Sequence, residues 1–230
     1  MRQLVTAWSY SRYADYKQCP LMFKLKHIDR IRPPSSPAME RGTSIHKEGE
    51  VYLTAKRKPR KVPDAYIHFA EQMEQLRDLN PRVELQLGFT DKWTPATRSG
   101  RDPTGWFAHD TWLRIVCDVD VRYEDHTADI IDFKTGRKYD TNEEQVELFS
   151  CAPFMEDPAI TKVTTRLWYL DQPVDNEVIR EYTRKDFEAI KKDWTKRVKP
   201  MFADRRFAPK PNPKCRFCHF RKENGGPCKF

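Results

Sequence analysis

The sequence contains no run of eighteen apolar residues, so no part of it is predicted to span a membrane. Its first residues, MRQLVTAWSYSRY, also lack an apolar stretch as long as the core of a signal peptide. We therefore expect a cytoplasmic protein. Disulfides are rare in that compartment, so the six cysteines are predicted to be metal ligands or free thiols.

The sequence has no excess of apolar residues, and its positive charges outnumber its negative charges. At 230 residues, the chain is long enough for one domain of moderate size, with or without appendages. Hydrophobic residues make up 38%, which is sufficient for one core, and charged residues make up 33%, which predicts an ionic surface. The net charge of +8 favours a polyanionic partner, although many basic proteins bind no nucleic acid.

Hydrophobic periodicity predicts helices, a strand, a hairpin, a helix, a second hairpin and a final helix, in that order. This order indicates an α/β or α+β fold, with a central mixed β-sheet flanked by helices. The predicted helices are 8–20 with Ser9 or Ser11 as N-cap, 44–52 after Thr43, 64–79, 143–154 after Asn142, and one from Thr183 that ends at Pro200. The predicted strands outside the central hairpin are 82–89, 162–170 and 177–182.

The first predicted hairpin is residues 112–136, WLRIVCDVDVRYEDHTADIIDFKTG, and it contains the highest concentration of candidate catalytic side chains in the sequence. Alternate residues of a strand share a face, so Asp118 and Asp120 lie on one face of the first strand. By the same rule, Asp132 and Lys134 share a face of the second strand. Two acidic strands that also present a lysine are typical of a reactive site, and the alternative is a surface hairpin with scattered charges.

The turn of this hairpin determines which carboxylates meet. A three-residue loop at 124–126 places Asp118 directly opposite Asp132, whereas a loop one residue further on places Asp120 there. Like charges in directly paired positions destabilise a sheet unless they are compensated. A divalent cation such as Mg²⁺, which prefers oxygen ligands, would compensate them.

The C-terminal stretch APKPNPKCRFCHFRKENGGPCKF differs in composition from the rest of the chain. A Pro/Lys linker precedes Cys215-x-x-Cys218 and then Cys228. Three cysteines this close together indicate a metal or cluster site, with free structural thiols as the alternative. Three ligands are one short of a closed site, so either His219 or a distant cysteine has to complete it.

Several motifs along nearly the whole chain resemble those of the PD-(D/E)XK nuclease superfamily, in its RecB-like exonuclease branch of CRISPR-adaptation and phage-encoded nucleases. YSRYADYKQCP resembles the entry motif of that branch, and AMERGTSIH resembles its RG-x-x-x-H motif. WLRIVCDV, with DFKTG fourteen residues later, is similar to the second and third motifs. Gln145 followed by Phe149 resembles Q-x-x-x-Y, with Phe in place of the usual Tyr. A further departure is Cys117, which replaces the residue type common before the first aspartate.

The resemblance implies a restriction-endonuclease-like core that hydrolyses phosphodiester bonds of DNA with the help of Mg²⁺ or Mn²⁺. The implied metal ligands are His46, Asp118, Asp132 and the Phe133 carbonyl, with Glu84 or Asp120 as a further carboxylate. Lys134 is the implied catalytic lysine, and Gln145 would position it or the substrate. The residues expected to contact nucleic acid are Arg137, Lys138 and Phe149.

Relatives that hold an iron–sulfur cluster bind it through one cysteine before the nuclease core and three after it. The resemblance therefore implies a [4Fe–4S] cluster on Cys19, Cys215, Cys218 and Cys228, with zinc as the fallback. A nuclease core with an N-terminal helical segment would cover 1–205, and a tail of 206–230 would close onto Cys19. The nine residues between Cys218 and Cys228 are more than usual in these relatives.

The implied substrate is DNA with free ends or single-stranded character, processed in recombination, repair or phage DNA metabolism within a bacterial or phage-infected cell. The resemblance also suggests a partner among recombination or replication proteins, which the sequence does not identify. Two other hypotheses are a nucleic-acid binding module with a decayed nuclease core, and a zinc-knuckle interaction protein without catalysis.

Overall fold

A computed structural model describes residues 4–57 and 59–230 of the chain. These residues form two compact units, one of residues 36–193 and one that combines the residues up to 35 with 194–230. The predicted tail of 206–230 lies in the second unit, and the predicted domain boundary at 205 stays a prediction. None of the helices in the described ranges has the length and apolar character needed to cross a membrane.

The larger unit contains a five-stranded sheet in the order β1-β2-β3-β4-β5. The strands are β1 Arg82–Phe89, β2 Leu113–Arg122, β3 Thr127–Lys134, β4 Lys162–Tyr169 and β5 Glu177–Thr183. Strands β3 and β4 run parallel, and the other neighbouring pairs are antiparallel. The prediction of a mixed central sheet flanked by helices is confirmed.

The helices are α1 Tyr10–Gln18, α2 Pro20–Phe23, α3 Pro37–Thr54, α4 Ala70–Asp78, α5 Asp140–Phe149, α6 Cys151–Glu156 and α7 Arg184–Ala203. A π-helical turn, Lys24–Ile28, follows α2, and 3₁₀ turns occupy Asp64–Phe69, Pro213–Phe217 and Lys222–Asn224. Ser9 is the N-cap of α1, as the sequence predicted.

Helix α3 begins seven residues earlier than predicted. The Ser36 hydroxyl accepts a hydrogen bond from the Met39 amide at 3.3 Å and caps the helix. Pro37 occupies the first helical position, where its missing N–H leaves no bond unmade. Thr43, the predicted cap, lies inside the helix and donates its hydroxyl proton to the Met39 carbonyl.

Three other helix predictions were wrong in their boundaries. Helix α5 begins at Asp140, with Tyr139 rather than Asn142 as N-cap, and ends before α6. The predicted helix 64–79 is instead a 3₁₀ turn followed by α4, because the backbone of buried Tyr66 is not helical. Helix α7 continues through Pro200 to Ala203, since a proline so near the helix end removes few hydrogen bonds.

The two faces of the sheet have different roles. One face packs a large apolar core in which Val119, Val121, Ile131 and Phe133 contact residues of α3, α4 and the 3₁₀ turn before it. On the other face, Leu167 and Tyr169 pack with Val146 of α5. Because paired residues share a face, this second face also carries Asp132 and Lys134.

Candidate active site and candidate metal centre

The register of the β2–β3 hairpin brings two buried carboxylates together. Val119 pairs with Ile131, and the loop between Tyr123 and Thr127 is three residues long, so the register continues to Asp118 opposite Asp132. This is the first of the two predicted registers, and it is confirmed. One carboxylate oxygen of Asp118 also accepts a hydrogen bond from the Phe133 amide at 2.7 Å.

Lys134 is held between two partners on this face of the sheet. Its Nζ lies 2.5 Å from Oδ2 of Asp132 and donates to Oε1 of Gln145, on α5, at 3.0 Å. Helix α5 packs on the sheet through Val146, the residue after Gln145. The structure thus brings together the predicted Asp132, Lys134 and Gln145.

The ionisation of this pair follows from burial and charge. Burial raises the pKa of Asp132 to about 6, against the opposing effect of the Lys134 charge. Burial alone would lower the pKa of Lys134, but the charge of Asp132 more than offsets this and raises it. At neutral pH the two groups are therefore a carboxylate and an ammonium ion.

Oδ2 of Asp132 is buried, and the Lys134 ammonium lies 2.5 Å from it. The carboxylate oxygens of Asp132 and Asp118 are the hard donors that a divalent cation prefers. Their chemistry fits the divalent ion that the sequence predicts.

His46, Glu84 and Asp118 form a compact group beside this pair. The three residues each offer a ligand atom, and these atoms lie within 4.8 Å of one another. Nδ1 of His46 is 3.3 Å from Asp118 and 3.6 Å from Glu84, and its Nε2 is 3.1 Å from the Phe133 carbonyl oxygen. Imidazole and carboxylate are metal-binding groups, so the set could hold a divalent cation.

The electrostatics of this group favour positive charge. Burial by itself would lower the pKa of His46, but hydrogen bonds to Asp118 and Glu84, together with the charges of Asp118 and Asp132, raise it to about 10. Without a metal, the carboxylates therefore keep a proton on the imidazole. A bound cation would take the place of that positive charge.

The backbone of Glu84 is left-handed, with φ of 49° in the middle of β1. Its neighbours pair normally, Val83 with Val119 and Leu85 with Cys117, while Glu84 itself is missing from the ladder. Non-glycine residues in this conformation cost free energy and concentrate at functional sites. The strand pattern of the sequence predicted β1 but contains no signal for this distortion.

Asp120 belongs to a different cluster of charges. Its buried carboxylate accepts hydrogen bonds from Arg82 and Arg122, and both arginines also reach Glu156. With its charge compensated there, Asp120 is not part of the group around His46. Asp120 was predicted as an alternative metal ligand because it shares a strand face with Asp118, and no local pattern in the sequence indicates its arginine partners.

The three predicted nucleic-acid contacts occupy different environments. Arg137 is exposed. Lys138 donates to the Asp175 carbonyl and lies 5.2 Å from the ring centre of Tyr169. Phe149 is buried, so its ring has no surface available to a nucleic acid in this conformation.

Sequence reasoning missed the residues that hold the loop after Lys134. Asp171 accepts from the Gly136 amide at 2.7 Å and from both guanidinium N–H groups of Arg41, at 2.6 and 2.9 Å. The Gln172 side chain donates to the Gly136 carbonyl at 3.1 Å. Arg41 and Asp171 are 130 residues apart, and no local pattern connects them.

In the smaller unit, the four predicted cluster cysteines line one pocket: Cys19, Cys215, Cys218 and Cys228. The Lys210 amide donates to the Cys19 sulfur at 3.4 Å, and the Asn212 amide donates to the Cys215 sulfur at 3.3 Å. Such N–H···S hydrogen bonds are one means by which proteins stabilise and tune cluster-bound thiolates. His219, the alternative fourth ligand, is exposed and does not line the pocket.

A folded turn accommodates the unusual nine-residue spacing before Cys228. Lys222–Asn224 form a 3₁₀ turn, and Gly225 ends it with a left-handed backbone at φ of 80°. Gly226 lies so close to Phe220 that an added Cβ would be 2.2 Å from its carbonyl carbon. The Cys228 amide then donates to the Phe220 carbonyl at 2.7 Å. The extra residues are therefore compatible with Cys228 reaching the pocket.

The other two cysteines are different. Cys117 and Cys151 are fully buried, and burial raises the pKa of both thiols well above its usual value. A protonated, enclosed thiol is a poor metal ligand.

Comparison with known proteins assigns the family. The profile of the PD-(D/E)XK nuclease superfamily matches residues 7–222. Among solved structures, a protein titled "Crystal structure of SSO0001" is similar at 13% identity and a TM-score of 0.48, covering 94% of this chain and 84% of that chain. A search of curated proteins found no match.

The chain belongs to the PD-(D/E)XK nuclease superfamily. Membership implies a metal-dependent nuclease that acts on nucleic acid, and nucleases of this superfamily use divalent ions such as Mg²⁺.

Proposed function

We propose that this protein is a DNA nuclease of the RecB-like branch, an exonuclease that hydrolyses phosphodiester bonds with Mg²⁺ or Mn²⁺. One observation carries the proposal: Asp118 lies opposite Asp132, with Lys134 beside it and His46 and Glu84 within ligand distance of Asp118. The apolar core lies on the opposite face of the sheet from Asp132 and Lys134.

In this proposal, His46, Glu84, Asp118, Asp132 and the Phe133 carbonyl hold the divalent ions. Such ions lower the pKa of bound water and neutralise charge on a phosphate. Lys134 would orient the attacking water or help to deprotonate it, and would stabilise the negative charge that builds up on the phosphate. Gln145 fixes the position of Lys134 through their 3.0 Å hydrogen bond.

The proposed substrate is DNA with free ends or single-stranded character. The net charge of +8 favours a phosphate backbone as ligand. Arg137, exposed three residues after Lys134, is positioned to bind a phosphate next to the one that is cut. Roles in recombination, repair or phage DNA metabolism belong to the same proposal.

We also propose that Cys19, Cys215, Cys218 and Cys228 hold a [4Fe–4S] cluster. The shared pocket and the amide hydrogen bonds to two sulfurs support a metal centre on these four cysteines, and the family resemblance favours the cluster. The cluster would link a cysteine near the N-terminus to three near the C-terminus, which is a structural role. A single zinc ion is the alternative outcome of metal analysis.

The activity is tested with end-labelled linear DNA, single- and double-stranded, and with circular DNA, each with Mg²⁺ or Mn²⁺. Asp132→Ala and Lys134→Ala should lower cleavage by a factor of about 1,000, with circular dichroism spectra like that of the wild type. Lys162→Ala is the matched control, because Lys162 also forms an ion pair on a neighbouring strand, with Glu181 at 3.1 Å.

Undiminished cleavage in both active-site variants would refute the assignment. Binding of DNA by the wild type without any cleavage would instead indicate a binding module with an inactive core. Cleavage of linear but not circular DNA distinguishes exonuclease from endonuclease action.

A further inference from the structure

The loop that connects β1 to β2 carries an unusually exposed aromatic side chain. Phe107 is 78% exposed, the highest value among the large hydrophobic residues that the structure describes. It lies in the loop 90–112, which is long for the turn between two adjacent antiparallel strands. An exposed phenylalanine in a loop of this length is a candidate for ligand binding.

The loop holds Phe107 in a defined position. The Asp102 carboxylate accepts hydrogen bonds from the amides of Trp106, at 2.9 Å, and Phe107, at 2.8 Å. The Gly88 amide of β1 donates to the Thr104 carbonyl at 3.0 Å. A Cβ on Gly88 would lie 2.0 Å from the Gly105 carbonyl oxygen, so the loop packs directly on the strand backbone. The Phe107 backbone is therefore ordered before any ligand binds, which lowers the entropic cost of binding.

The loop also contacts the face of the sheet that carries the candidate active site. Arg114 of β2 donates from Nε to the Trp106 carbonyl at 3.0 Å, and its guanidinium lies 5.4 Å from the centre of the Trp106 ring. Arg114 and Asp118 are four residues apart on one strand and thus share a face. At a rise of roughly 3.3 Å per residue, they are about 13 Å apart.

The charges near Phe107 suit a polyanion. The two acidic side chains nearest to it in the loop are engaged by hydrogen bonds, Asp102 with the amides above and Asp110 with Thr97. Arg114 contributes positive charge next to Trp106, and Arg101 is exposed in the same loop. An aromatic ring next to arginines is the combination that binds single-stranded nucleic acid, through base stacking and phosphate contacts.

We propose that Phe107, supported by Trp106 and Arg114, is a stacking subsite for an unpaired base of the strand whose phosphate is cut at Asp118 and Asp132. This inference rests on the proposed nuclease function and adds a preference for single-stranded substrate. Arg114, which contacts Trp106, is about 13 Å along β2 from Asp118, so the base on Phe107 is expected a few nucleotides from the cut phosphate, at roughly 3.4 Å per stacked nucleotide.

Three substitutions of one residue test the subsite. Binding of a fluorescein-labelled oligothymidine is measured by anisotropy in EDTA, which prevents cleavage. Phe107→Ala and Phe107→Leu should each weaken binding roughly tenfold, whereas Phe107→Trp should bind at least as tightly as the wild type. Leucine is the informative control, because it keeps an apolar side chain and loses the aromatic face. Equal binding by all four proteins would overturn the inference.

An abasic nucleotide provides a second, independent measurement. It is moved one position at a time along the oligonucleotide, away from the phosphate that is cut. One position should weaken binding to the wild type, and the same position should have little effect on Phe107→Ala, because the base and the ring act as a pair. An abasic effect that is equal in both proteins would show that Phe107 does not stack on a base.

Hydrolysis of bis(p-nitrophenyl) phosphate with Mn²⁺ separates this inference from the proposed function. This small diester is too short to reach Phe107, so Phe107→Ala should hydrolyse it as fast as the wild type while its KM for single-stranded DNA rises about tenfold. If the wild type cleaves DNA and the variant has the same KM, the subsite is refuted and the nuclease stands. If the wild type hydrolyses neither substrate, the proposed function itself fails.

Discussion

The two candidate sites are built in opposite ways. The acidic site takes Glu84, Asp118 and Asp132 from three adjacent strands, over a core of buried apolar residues. The cysteine site takes Cys19 from near one end of the chain and three cysteines from near the other. Of these three, Cys215 lies in the first 3₁₀ turn, Cys218 caps that turn, and neither 3₁₀ turn of this segment contains a buried residue. The first region has an apolar core beside its site. For the second region, the proposed metal centre would supply a corresponding part of the stability.

The largest expected effect tests which aspartate belongs to the acidic site. Asp118→Asn should lower DNA cleavage by at least a factor of about 100, because the group around His46 loses its central carboxylate. Asp120→Asn should retain most of the activity and instead lose about 3 kcal/mol of stability, because Arg82 and Arg122 lose a buried partner.

Cleavage rates and urea unfolding curves of the two asparagine variants distinguish these roles. The reverse ranking, with Asp120→Asn inactive and Asp118→Asn active, would show that Asp120 is the carboxylate that serves the reaction. Losses of stability in both variants without a loss of activity would show that the acidic group is structural.

A smaller effect, on stability and metal content, is expected in the cysteine site. Changing Cys19, Cys215, Cys218 or Cys228 to Ser should remove the metal and lower Tm by about 5 °C or more. Protein purified anaerobically should be brown and absorb near about 400 nm if the centre is an iron–sulfur cluster, where zinc thiolates are silent.

The matched controls are Cys117→Ser and Cys151→Ser. Each buries a hydroxyl group in the core, which costs about 1–3 kcal/mol, but the metal content should not change. Metal analysis rather than Tm therefore identifies the ligands. A colourless, metal-free and stably folded wild type would contradict the site.

The smallest expected effect is an acid sensitivity in the larger unit. Burial alone would raise the pKa of Glu156, but its hydrogen bonds and charge contacts with Arg82, Arg98 and Arg122 hold it below the usual 4.5. Because the folded pKa is depressed, this stabilisation is fully present above about pH 4.5 and is lost as the pH falls through the folded pKa.

Urea unfolding of wild type and Glu156→Gln between pH 3 and 7 isolates this contribution. The wild type should be the more stable protein at neutral pH, and the difference should shrink below about pH 4.5. A difference that stays constant over the whole range would show that Glu156 contributes through packing and not through charge.

Much of the fold could be predicted because its signals are local. Alternation along 82–89 and through the hairpin predicted β1, β2 and β3. The hairpin sequence allowed two registers, and the one that forms has the three-residue turn, with Asp118 opposite Asp132. Helix starts were predicted less well. Helix α3 begins earlier than predicted because Ser36 caps it and Pro37 is its first residue. No local sequence signal indicates that Tyr139 is the N-cap of α5.

The sequence by itself determined the acidic hairpin and limited it to two registers, because side-chain alternation and turn length are properties of a short segment. The structure selected the register with Asp118 opposite Asp132. The tertiary structure decided which groups surround the carboxylates. The left-handed backbone of Glu84, the arginines around Asp120 and the link from Arg41 through Asp171 to Gly136 all depend on residues far apart in the chain. Cys19 likewise shares its pocket with cysteines about 200 residues later in the chain. Contacts between such distant residues form only when the chain packs, so no local sequence pattern predicts them.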